Sequence, residues 1–212
     1  MPLSQEIAPP KVGVQYVVGT PPATPVLRPL RQPIYDSDIY LAAGTRELRL
    51  FVDNRNFPST GAAKDERATN LPQPSSLGTP LEFDLVGFQT SIEKRTVQAA
   101  NVFADLSVLY QNCVFNWFFG QTVRWLQIRL EKVPDGVSLF GNTTNTAETI
   151  ISNGWPVVNN FMNFATLDKK ARRIVSTETF ANRIVNPAAT ALPGAANRQV
   201  TTYMLGVLYA QL

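Results

Sequence analysis

Thr96 to Val133, TVQAANVFADLSVLYQNCVFNWFFGQTVRWLQIRLEKV, changes its apolar period midway, and that change decides the fold. Up to Cys113 the apolar residues Ala99, Val102, Phe103, Leu106, Tyr110 and Cys113 recur every three or four positions, which predicts one amphipathic helix over about 97–112. From Val114 to Phe119 the chain turns to aromatic and β-branched types suited to a pleated, half-buried surface. After Gly120-Gln121, Leu126, Ile128 and Leu130 point one way, while Trp125, Gln127, Arg129 and Glu131 point the other. Pro134-Asp135-Gly136 ends the run with turn chemistry. The unit is a helix feeding an antiparallel strand pair.

The flanking sequence supplies further strands. In Thr45–Val52, Leu48, Leu50 and Val52 share one face, with Glu47, Arg49 and Phe51 on the other. Leu81–Phe88 places Leu81, Phe83 and Leu85 inward, with a bulge expected at Gly87. Thr179–Val185 and Gln199–Leu212 read as strands, and Gly154–Phe164 as an edge strand or wide loop. The connections 57–80, 141–153 and 186–197 are polar or rich in proline and glycine. Eight of the 16 prolines fall within residues 1–33, so this segment is expected to be extended, with one short strand at Val12–Val18. Its leucines and valines suit a strap laid across a neighbour, with a solvated tail as the alternative. The expected organisation is a proline-rich arm over 1–40 and a mainly β, two-sheet antiparallel sandwich over 41–212.

Composition bounds the class. A chain of 212 residues with 44% hydrophobic residues holds a sizeable core. Only 17% are charged, against about 25% in ordinary globular domains. Either partners cover much of the surface, or the surface is built from neutral polar residues. A net charge of +3 does not by itself define a nucleic-acid-binding protein. The lone cysteine, Cys113, leaves no intrachain disulfide and reads as a small buried hydrophobe. The N-terminal residues lack a signal-peptide pattern and no stretch is long and apolar enough to span a bilayer, so the chain is expected to stay in a cytosol-like compartment or to be packed from there into something larger.

Residues for catalytic chemistry are mostly absent. The chain has no histidine, which removes His-based triads, facial metal triads and imidazole acid–base work. It has neither a Gly-x-Gly-x-x-Gly nor a Walker A sequence. Glu93, Asp105, Glu131, Asp135 and Glu178 are available for carboxylate-pair catalysis, but each also reads as a helix-end, turn or solvent-face residue, and Asp65-Glu66 as solvated. No catalytic, cofactor-binding or metal-ligating residue is therefore assigned, and the protein is not expected to be an enzyme. Lys169, Lys170, Arg172 and Arg173 form the sharpest charge cluster, read as a contact for nucleic acid or an anionic surface or else as a solvated turn. Trp117, Phe118, Phe119 and Trp125 read as core, or as a stacking platform.

The succession Leu106–Asn112, Cys113–Phe119, the Gly120 turn, Val123–Leu130 and Val133-Pro134-Asp135-Gly136 resembles a segment of bacteriophage jelly-roll virion proteins. Glu178-Thr179-Phe180, Tyr203–Leu208, and Asn70–Pro74 ahead of Leu81–Phe88 are similar to other parts of those proteins. The resemblance is one of element pattern over about 45–212. It implies a single jelly roll with a proline-rich arm, a structural role as an icosahedral capsid subunit or capsid-associated protein, contacts with copies of itself and other virion proteins, no cofactor, and a place in the virion after assembly in the host cytoplasm. Only six or seven of the eight strands of a jelly roll are legible. The alternative is a lectin-like or receptor-binding sandwich that uses loops 57–80 and 141–153.

Overall fold

The computed structural model describes residues 27–30, 32–92, 102–120, 122–133, 162–163 and 172–211. The strands are β1 (Leu27–Leu30), β2 (Ile34–Tyr40), β3 (Glu47–Leu50), β4 (Leu81–Ile92), β5 (Val114–Phe119), β6 (Val123–Arg129), β7 (Met162–Asn163), β8 (Arg172–Ile174), β9 (Phe180–Val185) and β10 (Arg198–Gln211). One helix, α1 (Val102–Asn112), precedes β5, and a 3-10 turn at Leu130–Lys132 follows β6. The predicted residues 97–101 of the helix and the predicted strand at 12–18 lie outside the described residues.

Among the described residues all strand pairings are antiparallel. In the first sheet β10 and β4 form the centre, with β1 and β2 along the free side of β10 and β7 and β8 along the free side of β4. β2 pairs with Arg198–Met204, whereas β1 pairs with Leu208–Gln211 further along the same strand. The second sheet has the order β3-β9-β5-β6. If β1/β2 and β7/β8 are each taken as one interrupted strand, the eight positions run 1-8-3-6 and 2-7-4-5. Except at the β5–β6 hairpin, the chain changes sheet at every step. This is the jelly-roll order.

The sandwich takes up residues that the sequence reading assigned to the arm. β1 and β2 are paired strands, so the described β domain begins at Leu27 rather than at residue 41. Pro29 fits because β1 is an edge strand. β2 is hidden from a pattern search because it directs Asp36 and Asp38 inward, both fully buried. Asp36 receives the Lys64 ammonium at 2.7 Å and the Phe51 N–H at 2.5 Å. Asp38 accepts from the Arg49 N–H (2.9 Å), the Ser59 N–H (3.0 Å) and the Ser59 hydroxyl (2.6 Å).

Three departures from strict alternation shape the core. Phe51 adopts a left-handed backbone (φ 65°) at the end of β3, so Leu50 and Phe51 both enter the interior and Phe51 leaves the outward face expected for it. In β4, Leu85 pairs with Gly206 and Gly87 with Leu205, leaving Val86 as the bulged residue beside the predicted Gly87. The bulge moves the buried set from Phe83 and Leu85 to Phe88, Thr90 and Ile92. A bulge in β6 leaves Trp125 between the Trp117–Leu126 and Phe118–Arg124 pairs. The Trp125 ring then lies 5.3 Å from Phe119 and 6.5 Å from Phe88, both buried, instead of outward beside Gln127.

The interior centres on Trp117, which lies parallel to Phe180 at 5.8 Å and meets Phe88 at 4.3 Å and Phe51 at 5.4 Å. α1 closes one side with Leu106, Leu109 and Tyr110, and the Cys113 carbonyl accepts the Leu130 N–H at 2.9 Å. Asp105 on its first turn is buried and grips Arg198 of β10, with oxygen–nitrogen distances of 2.6 and 2.9 Å. Its other oxygen accepts the Gly194 N–H at 2.6 Å. Burial pushes the Cys113 thiol up to about 12, so it serves as the packing residue the sequence indicates.

Two stability tests follow from this packing. Phe88→Ala removes a fully buried ring that touches Trp117, and is expected to cost about 3–5 kcal/mol. Leu126→Ala is expected to cost only about 1–2 kcal/mol, because Leu126 is half-buried at the core margin. Equal losses in denaturant titrations would show that the interior does not centre on Trp117. Lys64→Met strands the Asp36 carboxylate and is expected to cost about 3–5 kcal/mol at neutral pH. Burial already raises the Asp36 carboxyl above its ordinary range, and losing the lysine raises it further. A raised carboxyl makes the folded state bind its proton before the unfolded chain does. The deficit of Lys64→Met should therefore shrink as pH falls through the folded value toward the ordinary aspartate range. A deficit independent of pH would contradict the buried pair.

Candidate interaction surfaces

Alternation along each strand sends every second residue to solvent, and register decides which of them become neighbours. On the outer face of the second sheet, Arg49 of β3 stands directly opposite Arg183 of β9, Arg183 opposite Asn116 of β5, and Asn116 opposite Gln127 of β6. The next row is Glu47, Val185, Val114 and Arg129, and the row on the other side is Ala181, Phe118 and Arg124. Four arginines from three strands thus share one face.

Their compensation is thin. Glu47 meets the Arg49 guanidinium at 2.8 Å and that of Arg183 at 3.8 Å, and Glu131 meets Arg129 at 3.8 Å. Arg124 has no ion-pair partner among the described residues. The arginine side chains stay open to water, 61% exposed at Arg49 and 72% at Arg129. The Arg183 guanidinium lies over an aromatic, 4.9 Å from the Phe118 ring centre. At the β3 edge a shallow cleft of mixed charge is lined by Arg46, Glu47, Arg49, Pro58 and Ser59, with Asp38 and Thr45.

The outer face of the first sheet is different. Tyr35 lies opposite Tyr203, with ring centres 5.6 Å apart, and Leu205, Val207 and Tyr209 continue along β10, all half-buried. Its charges are closed among themselves. The Arg173 fork binds both Asp84 oxygens at 2.8 and 2.9 Å, reaches Glu82 at 3.3 Å, and lies 4.8 Å from the Tyr209 ring. The Arg173 hydrogen bonds hold the Asp84 carboxyl below its ordinary range. On the inward side of β8, Arg172, opposite Leu85, pairs with Glu178 and covers the Phe119 ring at 4.8 Å.

The basic cluster read from the sequence is therefore divided. Lys169 and Lys170 lie outside the described residues, and Arg172 and Arg173 are engaged by the chain's own carboxylates. Among the candidate carboxylates, Asp105 is buried against Arg198 instead of lying in solvent, Glu131 and Glu178 hold arginines, and Glu93 and Asp135 are outside the described residues. Asp65 caps its own turn through the Arg67 and Ala68 N–H groups. Of the four aromatics, Trp117 and Phe119 are core, Phe118 belongs to the basic face, and Trp125 is 39% exposed at the rim. Among the described residues no group of three or more acidic or cysteine side chains is placed to hold a metal ion, and no helix is long and apolar enough to cross a membrane.

Sequence reasoning missed the arginine face because its members are separated by up to 134 positions, from Arg49 to Arg183. The available signal was the outward placing of Arg49 within the Leu48–Leu50 alternation and of Arg129 within Ile128–Leu130. No protein-family model matches the chain, and no curated protein or solved structure matches it significantly.

Directly opposed like charges weaken a sheet, so this face does not serve stability. Arg49→Gln is expected to leave stability within about 0.5 kcal/mol of the parent, since the exposed pair with Glu47 is lost while repulsion of Arg183 is relieved. Thermal unfolding at low and high salt checks this. A loss well above about 1 kcal/mol would show instead that the arginines hold the sheet together.

Proposed function

We propose that the protein is a structural virion subunit, a capsid or capsid-associated protein of a bacteriophage, which acts through contacts with copies of itself and other virion proteins. The observation that carries this reading is the 1-8-3-6/2-7-4-5 strand order. It is the architecture used for closed protein shells as well as for lectins, and the element pattern of the sequence points to the former. Two surface features support it. The first sheet presents tyrosines and aliphatic residues outward, the composition of an interface core rather than of a solvated face. The β6 strand leaves its far edge without a strand partner among the described residues and exposes Val123 at 62% beside Trp125. Such an edge invites pairing with another chain.

Mass measurement of the purified full chain, with electron microscopy, tests the proposal. Closed assemblies far larger than a trimer are expected. A chain that stays monomeric or trimeric under all assembly conditions would favour the lectin-like or receptor-binding alternative, for which the cleft beside Ser59 is the natural ligand position. A shortened chain beginning at Leu27 keeps every described strand, and should unfold cooperatively while losing assembly if residues 1–26 act as a strap. Normal assembly by that chain would remove the strap from the proposal.

A further inference from the structure

We infer that the outer face of the β3-β9-β5-β6 sheet binds the phosphate backbone of a nucleic acid, with Arg49, Arg124, Arg129 and Arg183 as its contacts. The inference goes beyond the assembly reading and does not depend on it, since the face is complete within one chain. Three observations carry it.

First, the opposition of Arg49 and Arg183 across neighbouring strands is unfavourable for the isolated fold, and only Glu47 mitigates it. An external anion removes that repulsion. Second, the arginines belong to β3, β9 and β6 of a four-stranded sheet. At about 4.7–4.9 Å per strand, the band they form is about 15 Å wide. Guanidiniums so spread cannot converge on one small anion, but they meet successive charges along a polyanion. Third, these four cations are all arginine, whose planar fork suits phosphate oxygens, and among the described residues they share only Glu47 and Glu131, whereas Arg172 and Arg173 on β8 of the first sheet each have a carboxylate of their own in Glu178 and Asp84.

An acidic protein partner fits less well. Protein interfaces draw their affinity from aromatic or apolar anchors seated in dry pockets. The aromatic on this face, Phe118, already lies beneath the Arg183 guanidinium, and the residues beside it are Asn116 and Gln127. An open face with a wide cationic band favours backbone contact without sequence readout.

The test is fluorescence anisotropy of the full-length protein with a labelled single-stranded DNA oligonucleotide and with its duplex, over a range of salt concentrations. The expected log–log salt slope is about −3 for the single strand and about −3.5 for the duplex, as neutralisation of four phosphates requires. The double variant Arg124→Gln/Arg129→Gln should bind at least about tenfold more weakly and halve the slope. The control Arg55→Gln/Arg67→Gln removes the same charge from exposed positions of the 51–80 connection and should bind like the parent. Arg124→Lys/Arg129→Lys should keep the slope, which separates a charge contact from a folding defect. Equal losses in the control would reduce the effect to net charge and overturn the inference. So would the absence of binding at physiological salt. Displacement of the oligonucleotide by polyglutamate at equal charge concentration would overturn it in favour of an acidic protein partner.

Discussion

The Asp36 carboxylate is the constraint on which the interior depends. It sits on β2 of the first sheet, takes the Phe51 N–H from the end of β3 in the second, and holds the Lys64 ammonium from the connection that follows. Lys64 in turn donates to the Asp53 carbonyl at 2.6 Å. Three segments distant in sequence are thus fixed to one group, and Phe51 is held in the left-handed turn that sends its ring against Trp117 and Phe180. Asp38, two residues on, repeats the device with Arg49 and Ser59. A slip of β2 by one residue would turn Tyr35 and Ser37 toward the space between the sheets and carry both carboxylates to the opposite face. Two ions withdrawn from water recover little of their hydration, whereas that slip would part both carboxylates from these partners.

The parts of the fold that were legible in the sequence are those whose side chains obey a simple period. β5, the central part of β4 and the end strand β10 carry apolar or alternating runs, and α1 shows its face through Leu106, Tyr110 and Cys113. β2 was not legible because tertiary partners, not apolar character, justify Asp36 and Asp38 at inward positions. Strict alternation misplaces Phe51 and Trp125 because a left-handed residue and a bulge each reset it. The arginine face was invisible for a different reason. No local window contains it, and only the pairing register makes neighbours of Arg49 and Arg183.

The two sheets divide the surface by chemistry. Arg173 closes the charges of the first sheet onto Asp84 and Glu82, leaving a face of tyrosines and aliphatic side chains. The second sheet keeps its arginines open, with buried Asn116 and exposed Gln127 between them. Between these faces the core carries its own polar link. Thr202 of β10 donates to the Asn182 side chain of β9 at 3.0 Å, and Asn182 donates to the Asn116 carbonyl of β5 at 2.9 Å. The two faces are therefore presented back to back by sheets tied through their centres, so a partner on one side leaves the other free.

The wrapping order also dictates when the molecule can close. Ile34 pairs with Met204 and Tyr40 with Arg198, while β10 simultaneously pairs with the whole length of β4. On the ribosome, β2 and β4 are made long before the strand that separates them exists. Until β10 emerges they can only wait with open edges, or pair with each other or with a neighbouring chain. Glu47–Leu50 likewise waits for Asn182–Val185. Folding is consequently a late, nearly all-or-none event, slowed by the entropy of closing loops of this length. An unfinished chain exposes the same edges that a finished one conceals.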